Sequence, residues 1–450
     1  MRTTIFKFYF LLFTCFAFSQ AGHVMQGVGA VNMSMGGAAT AQPIDFNGAI
    51  LWNPASLTAF KEKEISLSVG AFFSSPKLSS SLPAGILGAG APGVKGTTLD
   101  KRGTSLMPAL AMVWAKENSK HIFALSAFGI SGFGVKFPKE ENNPLLGANF
   151  DPTKNSNPIN YPQQARGFGL VESDYMLLQM SLSYAYKFSD EFSIGVQPNI
   201  DYASLQLAPN PISPPSQTKG YPTTNKASAI GYGAQIGVFY DSGSMLKLGI
   251  SYKTKQSFGK LEFKQKYLDG TDAPNVKYTM NYPAILSFGL GLSGKKIDFA
   301  LDYRTVFYEK TEGFKEIGWN ANASVKGFGW KNMTIISAGI QYQITEKMPI
   351  RLGYTYSSNA IKDELAFFSV SAPAVINNAA QIGLGYIFNN KWKLDAVFHQ
   401  GFRGKGVAGK ILDPMAINTT NPLGEMPNTN ISYNMETSLI QFTLNYTFDK

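Results

Sequence analysis

Phe192-Ser193-Ile194-Gly195-Val196-Gln197-Pro198-Asn199-Ile200-Asp201-Tyr202 alternates without a break. Phe192, Ile194, Val196, Ile200 and Tyr202 share one face of an extended chain, and Ser193, Gly195, Gln197, Asn199 and Asp201 share the other. Successive side chains of a strand point to opposite faces, so this is a strand with one apolar and one polar side. Ile297-Asp298-Phe299-Ala300-Leu301-Asp302-Tyr303-Arg304 repeats the pattern, as do 176–188, 230–240, 246–252, 348–356, 382–388 and 392–398. In a soluble sandwich the apolar faces would meet in a core. Here they often end in Tyr, Phe or Trp, which is the girdle pattern of a barrel whose outside faces lipid.

Connection lengths separate these two architectures. The pattern predicts strands near 63–76, 104–117, 120–134, 173–188, 191–207, 228–241, 244–259, 277–293, 295–309, 331–344, 347–358, 374–388, 390–402 and 432–448. Six connections are tight: Asn118-Ser119, Ser189-Asp190, Asp241-Ser242-Gly243, Gly294, Thr345-Glu346 and Asn389. Seven are long and rich in Pro, Asn, Gly and Ser: 77–103, 135–172, 208–227, 260–276, 310–330, 359–373 and 403–431. Short and long alternate strictly, as they do where turns face the periplasm and loops face outside. The expected fold is all-β, a transmembrane antiparallel β-barrel of about fourteen strands spanning 63–450, with both termini periplasmic.

Residues 1–20 read as a secretory signal peptide: Met1, Arg2 and Lys7 lead an apolar run from Phe8 to Phe18, followed by Ser19-Gln20-Ala21. Its core is too short to span a bilayer. Cys15 is the only cysteine, and Leu12-Phe13-Thr14 before it lacks the small residue that precedes a lipidated cysteine. A chain without that segment has no thiol, which excludes disulfide scaffolds, cysteine–zinc sites and cysteine catalysis. The net charge of +10 falls by two when Arg2 and Lys7 leave. The basic residues are scattered with no run, so a nucleic-acid partner is not expected, and anionic headgroups or carboxylate ligands suit the excess better.

Two segments depart from the strand pattern. In the third strand, His121 to Phe128 is apolar on both faces and Gly129, Gly132 and Gly134 follow. Glycines there mark either a frayed end running into a loop or a kink that opens the wall. The second segment is 21–62, with Gly27, Gly29, Asn32, Ser34, Gly36, Gly37, Asp45, Asn47 and Asn53-Pro54-Ala55. It is too structured for a linker and too polar for lipid. A lumen of fourteen strands is wider than side chains alone can fill, so this segment is expected to be a plug.

These residues resemble the FadL/TodX family of outer-membrane transporters for hydrophobic compounds. The similarity is carried by Ser34-Met35-Gly36-Gly37-Ala38 with Asn53-Pro54-Ala55, by Leu182 to Phe188 leading to Phe192-Ser193-Ile194-Gly195, by Gly231-Tyr232-Gly233, by Leu248 to Lys253, by Tyr282-Pro283-Ala284 and by Ile350 to Tyr354. The resemblance implies uptake of long-chain fatty acids or similar molecules by binding in the lumen, movement of a hatch at 21–62, and lateral exit at a kinked third strand. Gly129, Gly132 and Gly134 fall where that kink would be, and Arg166 resembles a family arginine near the ligand pocket. Arg304, Arg351, Lys253 and Lys391 are further candidate interior cations. Two features depart from the family: the chain ends Phe448-Asp449-Lys450 rather than on an aromatic residue, and the long loops carry no evident amphipathic helix for an outer capture groove.

Three rival readings remain on the sequence. A lipase needs a serine–histidine pair with an orienting group, and His23, His121 and His399 come with no Gly-x-Ser-x-Gly turn, so no catalytic residue is expected. An open porin would need no plug. A barrel of the same superfamily that carries secreted proteins to the surface would fit Trp52 before Asn53 equally well. No cofactor or metal is expected. The expected partners are a hydrophobic small molecule, the outer membrane with its lipopolysaccharide and the barrel-assembly machinery, and the expected state is a monomer.

Overall fold

The computed structural model describes residues 23–449, and the expected signal peptide with Cys15 lies outside them. Fourteen antiparallel strands close a barrel. They are β1 (Lys63–Ser74), β2 (Thr104–Trp114), β3 (His121–Phe137), β4 (Val171–Lys187), β5 (Phe192–Ala208), β6 (Ala227–Asp241), β7 (Leu246–Lys253), β8 (Ile285–Ser293), β9 (Ile297–Val306), β10 (Met333–Thr345), β11 (Met348–Ser357), β12 (Asn378–Ile387), β13 (Trp392–Gly401) and β14 (Thr437–Thr447). Each strand pairs with its neighbours in sequence, and β14 returns to β1 in a register running from Glu64↔Thr447 to Ser74↔Thr437. Phe448 continues this seam: its N–H donates to the Lys63 carbonyl at 2.9 Å, so the chain closes without a terminal aromatic residue.

Burial is inverted relative to a soluble protein. In β5, Ile200 is 56% exposed while its neighbour Asp201 is 0% exposed, and Gln197 and Asn199 are buried with it. Polar residues therefore line the interior and apolar ones cover the outside. Inside, they satisfy one another: Gln179 donates to Asp201 at 2.8 Å and Ser181 to Asn199 at 2.8 Å. At the short-turn end aromatic rings gather, with Phe192 and Tyr240 centroids 4.8 Å apart and Trp392 and Tyr446 4.7 Å apart. Such rings suit a membrane interface because an apolar body and a polar edge meet different solvents.

The long connections hold more structure than the sequence indicates. Lys77–Leu82, Val94–Leu99, Val407–Gly409 and Asn430–Asn434 form a four-stranded sheet, and Thr223–Thr224, Leu261–Lys266 and Asp272–Tyr278 a three-stranded one. Serines at 79–81 carry no apolar periodicity, so the first of these strands left no signal. Three predicted strands are also shorter by five or more residues at one end; the one near 432–448 begins at Thr437, its first residues lying in the four-stranded sheet. The one near 277–293 begins at Ile285, because Pro283 has no N–H for a ladder and 272–278 is drawn into the outer sheet. The one near 244–259 ends at Lys253, and Ser257–Phe258 instead pairs with β6 around Gly231.

The inverted faces make a depth-dependent prediction. Ile200→Lys, at mid-strand, is expected to cost about 2–4 kcal/mol and Ile194→Lys, near the turn, about 1 kcal/mol or less. Reversible refolding into lipid vesicles reads both values, and equal costs at the two positions would contradict the proposed depth of the barrel.

Candidate functional site

The plug folds from local signals. Asp45 caps the short helix α2 (Phe46–Trp52) by accepting from the Gly48 N–H at 3.4 Å. Asn53 then caps the turn at Pro54–Ala59, its Oδ1 accepting from the Ala55 N–H at 3.1 Å, with Pro54 in the first position where a missing N–H costs nothing. An earlier helix, α1, spans Gly29–Ser34. From His23 to Leu57 every residue is buried except Met25, Pro43 and Ile44, which are partly so.

Barrel residues hold this plug by charge, by hydrogen bonds and by close approach. The buried Asp302 carboxylate accepts from the Ala39 N–H at 2.8 Å, the Thr40 N–H at 2.9 Å and the Thr40 hydroxyl at 2.8 Å. It also pairs with Arg304, whose guanidinium donates to the Gly37 carbonyl at 2.8 Å and lies 3.7 Å over the Trp52 ring. The Asn53 amide reaches the Thr40 carbonyl at 2.8 Å and the Val238 carbonyl of β6 at 3.0 Å. The Ser251 hydroxyl donates to the Trp52 carbonyl. Interior glycines let the wall approach: a Cβ at Gly237 would stand 1.9 Å from Asn53 Oδ1, and one at Gly249 would stand 2.1 Å from the Thr40 carbonyl oxygen.

At the start of the plug, aromatic rings surround His23. Its Nδ1 lies 2.7 Å from the Tyr308 hydroxyl, and the Phe314, Tyr282 and Trp330 centroids stand 4.8, 5.8 and 5.8 Å from its own. A second aromatic cluster among the outer loops, with Phe168, Trp319, Phe367 and Phe368, encloses a cavity of about 40 Å³.

The wall opens at β3. The ladder between β2 and β3 runs from Trp114↔Phe123 to Ala109↔Phe128 and stops. Beyond it β2 stays with β1, as far as Phe73↔Thr104, and β3 stays with β4, as far as Phe137↔Val171. Ile130 is an extra residue where the β3–β4 register shifts between Gly129 and Ser131. The free edge of β3 finds other partners. Met25 N–H donates to the Ile130 carbonyl at 3.0 Å, Gly132 N–H to the His23 carbonyl at 3.3 Å, and Lys101 N–H to the Lys136 carbonyl at 2.8 Å. Between the parted strands lies a cavity of about 270 Å³, reached by Leu106, Met107 and Pro108 of β2, by Met176 and Leu178 of β4, and by Met25 of the plug.

The residues singled out in the sequence fall into three places. Gly129, Gly132 and Gly134 all line the wall cavity, and the strand they interrupt runs on to Phe137 instead of fraying. Asn53, Pro54 and Ala55 sit at the plug–wall contact. The cations are dispersed: Arg166 is exposed on an outer loop with φ of 66°, and Arg304 is engaged as described. Arg351 pairs with Asp395 at 2.9 Å and with Gln341 at 2.7 Å. Lys253 donates to Gln179 at 3.0 Å, and Lys391 pairs with Asp449 at 2.7 Å. The sequence reading missed Asp302 as the plug's anchor and Arg102, Asp174 and Lys226 at the wall cavity. Asp174 had a visible signal, since it shares the outward parity of Met176 and Met180.

Residues 157–449 match the family model described as outer membrane protein transport protein (OMPP1/FadL/TodX). Among solved structures, a FadL homologue from Pseudomonas aeruginosa is similar at a TM-score of 0.70 and 15% identity, over 95% of this chain and 100% of that one. The toluene transporter TodX of P. putida is similar at 0.65 and 16%, over 94% and 99%. The Ralstonia pickettii toluene transporter TbuX is similar at 0.61 and 16%, over 94% and 99%. At such identities the likeness concerns the fold. Among curated proteins none matches the chain.

The plug's anchor is testable. Asp302→Ala leaves Arg304 buried without its carboxylate, which is expected to cost about 3–5 kcal/mol. Urea unfolding of the purified barrel should show the lower midpoint, and limited proteolysis should begin to cut the plug. An unchanged midpoint with a protected plug would remove Asp302 from this role.

Proposed function

Since the chain belongs to the outer membrane protein transport family of FadL and TodX, we propose that it takes up hydrophobic small molecules, long-chain fatty acids or similar, and releases them sideways beside β3. In this reading the short turns and both termini face the periplasm. The observation that carries it is the apolar cavity where β2 and β3 part. A hydrophobic solute gains about 0.8 kcal/mol for each methylene taken out of water, and a polar channel offers it none of that. A cavity that adjoins the lipid lets the tail pass from one apolar medium to another.

The relative strength of the contacts indicates which part of the plug moves. Hydrogen bonds to a charged partner contribute about 1.5–3 kcal/mol each, and neutral ones about 0.5–1.5. Residues 37–40 are held by the Asp302–Arg304 pair, whereas His23 and Met25 meet β3 through neutral bonds only, two between backbones and one from the Ser131 hydroxyl to the His23 carbonyl at 2.9 Å. We assign the movement to the first residues of the plug and a fixed position to Asn53-Pro54-Ala55. Arg304, buried against Asp302 and bonded to Gly37, serves as an anchor in this scheme, whereas Arg351 is paired with Asp395 within the wall. The Trp52-Asn53-Pro54-Ala55 element is buried in the lumen, which gives a secretion-adaptor role no surface there.

Deleting Ile130 tests the lateral route. Phe128 faces inward before the bulge and Ser131 after it, so removing the extra residue restores the alternation without turning any side chain around. A deletion strain carrying this variant is expected to take up labelled fatty acid an order of magnitude more slowly than one carrying the wild type, with the barrel still folded by heat-modifiability on gels. Undiminished uptake would send the ligand out by another path.

A further inference from the structure

At the long-loop end of the wall cavity three charged side chains meet on the outer face. Arg102, in the loop before β2, reaches Asp174 of β4 with its Nη2 2.7 Å from Oδ1. Lys226, just before β6, brings its Nζ to 2.5 Å from the other oxygen of the same carboxylate. Arg102 passes over β3 at Gly134, where a Cβ would stand 2.5 Å from the guanidinium carbon. Asp174 lies between the buried Ser173 and Tyr175 and in line with the exposed Met176, so it belongs to the outward row. Charge on a lipid-facing strand is costly at mid-depth and tolerated near the interface, which places this trio at the level of lipid headgroups.

The three side chains form one rim of a cleft that is otherwise mostly apolar. Arg102 and Lys226 share the Asp174 carboxylate, and Asp100, which accepts from the Arg102 and Lys136 backbone N–H groups, is offset by the adjacent Lys101, so the rim keeps a positive excess. The neighbouring Lys136–Glu172 pair, 3.0 Å apart on the same outward row, is balanced and does not cancel it. Arginine offers five N–H donors and lysine three, so one carboxylate leaves both with capacity to spare. Their side chains are 23% and 47% exposed, within reach of an arriving head.

We propose that this cleft is a binding site for a single-chain amphiphile with an anionic head, a fatty carboxylate, whose head engages Arg102 and Lys226 and whose tail lies between Pro108 and Met176. The inference rests on the transport reading and deepens it: the wall opening selects acids over neutral hydrocarbons. A neutral hydrocarbon gains from the apolar walls alone. A carboxylate adds charge-assisted bonds to a planar guanidinium, at the point where its tail enters lipid.

The test uses the full-length barrel in lipid nanodiscs at pH 8, with labelled dodecanoate and dodecanol as probes and empty nanodiscs as the blank. Asp174→Asn removes the competing carboxylate and is expected to tighten dodecanoate several-fold. Arg102→Gln with Lys226→Gln is expected to weaken it at least about tenfold, the loss of one charged hydrogen bond. Dodecanol should stay within about twofold in both variants, because its tail contacts are unchanged. The opposite signs separate head recognition from simple damage to the fold. Dodecanol moving together with dodecanoate, or Asp174→Asn failing to tighten it, would overturn the proposal. So would loss of dodecanoate binding when lipopolysaccharide is added to the nanodiscs, which would assign the rim to lipid phosphate. Binding is read without transport, so normal uptake by the Ile130 deletion would leave this result standing, and failure here would leave the lateral route untouched.

Discussion

Backbone N–H and C=O groups facing hydrocarbon have no water to bond, so a sheet that spans a bilayer must close on itself. Thirteen of the seams in this barrel obey that rule along their strands, and the β2–β3 seam obeys it only from Ala109 to Trp114. Beyond that point β3 turns inward and pairs its free edge with the start of the plug and with the loop at Lys101. On the opposite side of the gap stands Pro108, which has no N–H to leave unbonded. Where the strand contact is missing, the plug supplies part of what it would have supplied. Plug and opening are one structural device.

The hold on the plug is graded along its length. Its middle is locked by a buried carboxylate, a guanidinium stacked on Trp52 and glycines that admit it to the wall. Its first residues lie among aromatic rings and form neutral bonds to the one strand that is already bent. The weaker hold lies at the end that touches the opening.

Much of the fold was legible because it is written locally. Alternation in Phe192 to Tyr202 requires nothing beyond the geometry of an extended chain, and the order of short turns and long loops requires only counting. The glycines at 129, 132 and 134 were visible as an interruption, and only the structure shows that β3 runs past them to Phe137 on β4 with Ile130 as an extra residue. The sheets among the long loops were not legible, since Ser79-Ser80-Ser81 breaks any apolar period in one strand and the others run for only two to seven residues. Arg304 and Arg351 could be seen to point inward, and their roles could not be read, because each role depends on a carboxylate or a plug carbonyl brought in by closure of the barrel.

By itself, the sequence determined the class of solvent on each side of the strands, their number and alternation, and the presence of a segment that belongs to neither lipid nor loop. These are properties of neighbours along the chain, and period-two patterning reports them directly. The tertiary structure alone decided that Met25 bonds to Ile130, that Asp302 holds Thr40, and that Arg102 crosses Gly134 to reach Asp174. Such partners lie far apart in sequence and share no local pattern. Only ring closure brings them together, and the cost of leaving buried polar groups unpaired keeps them there.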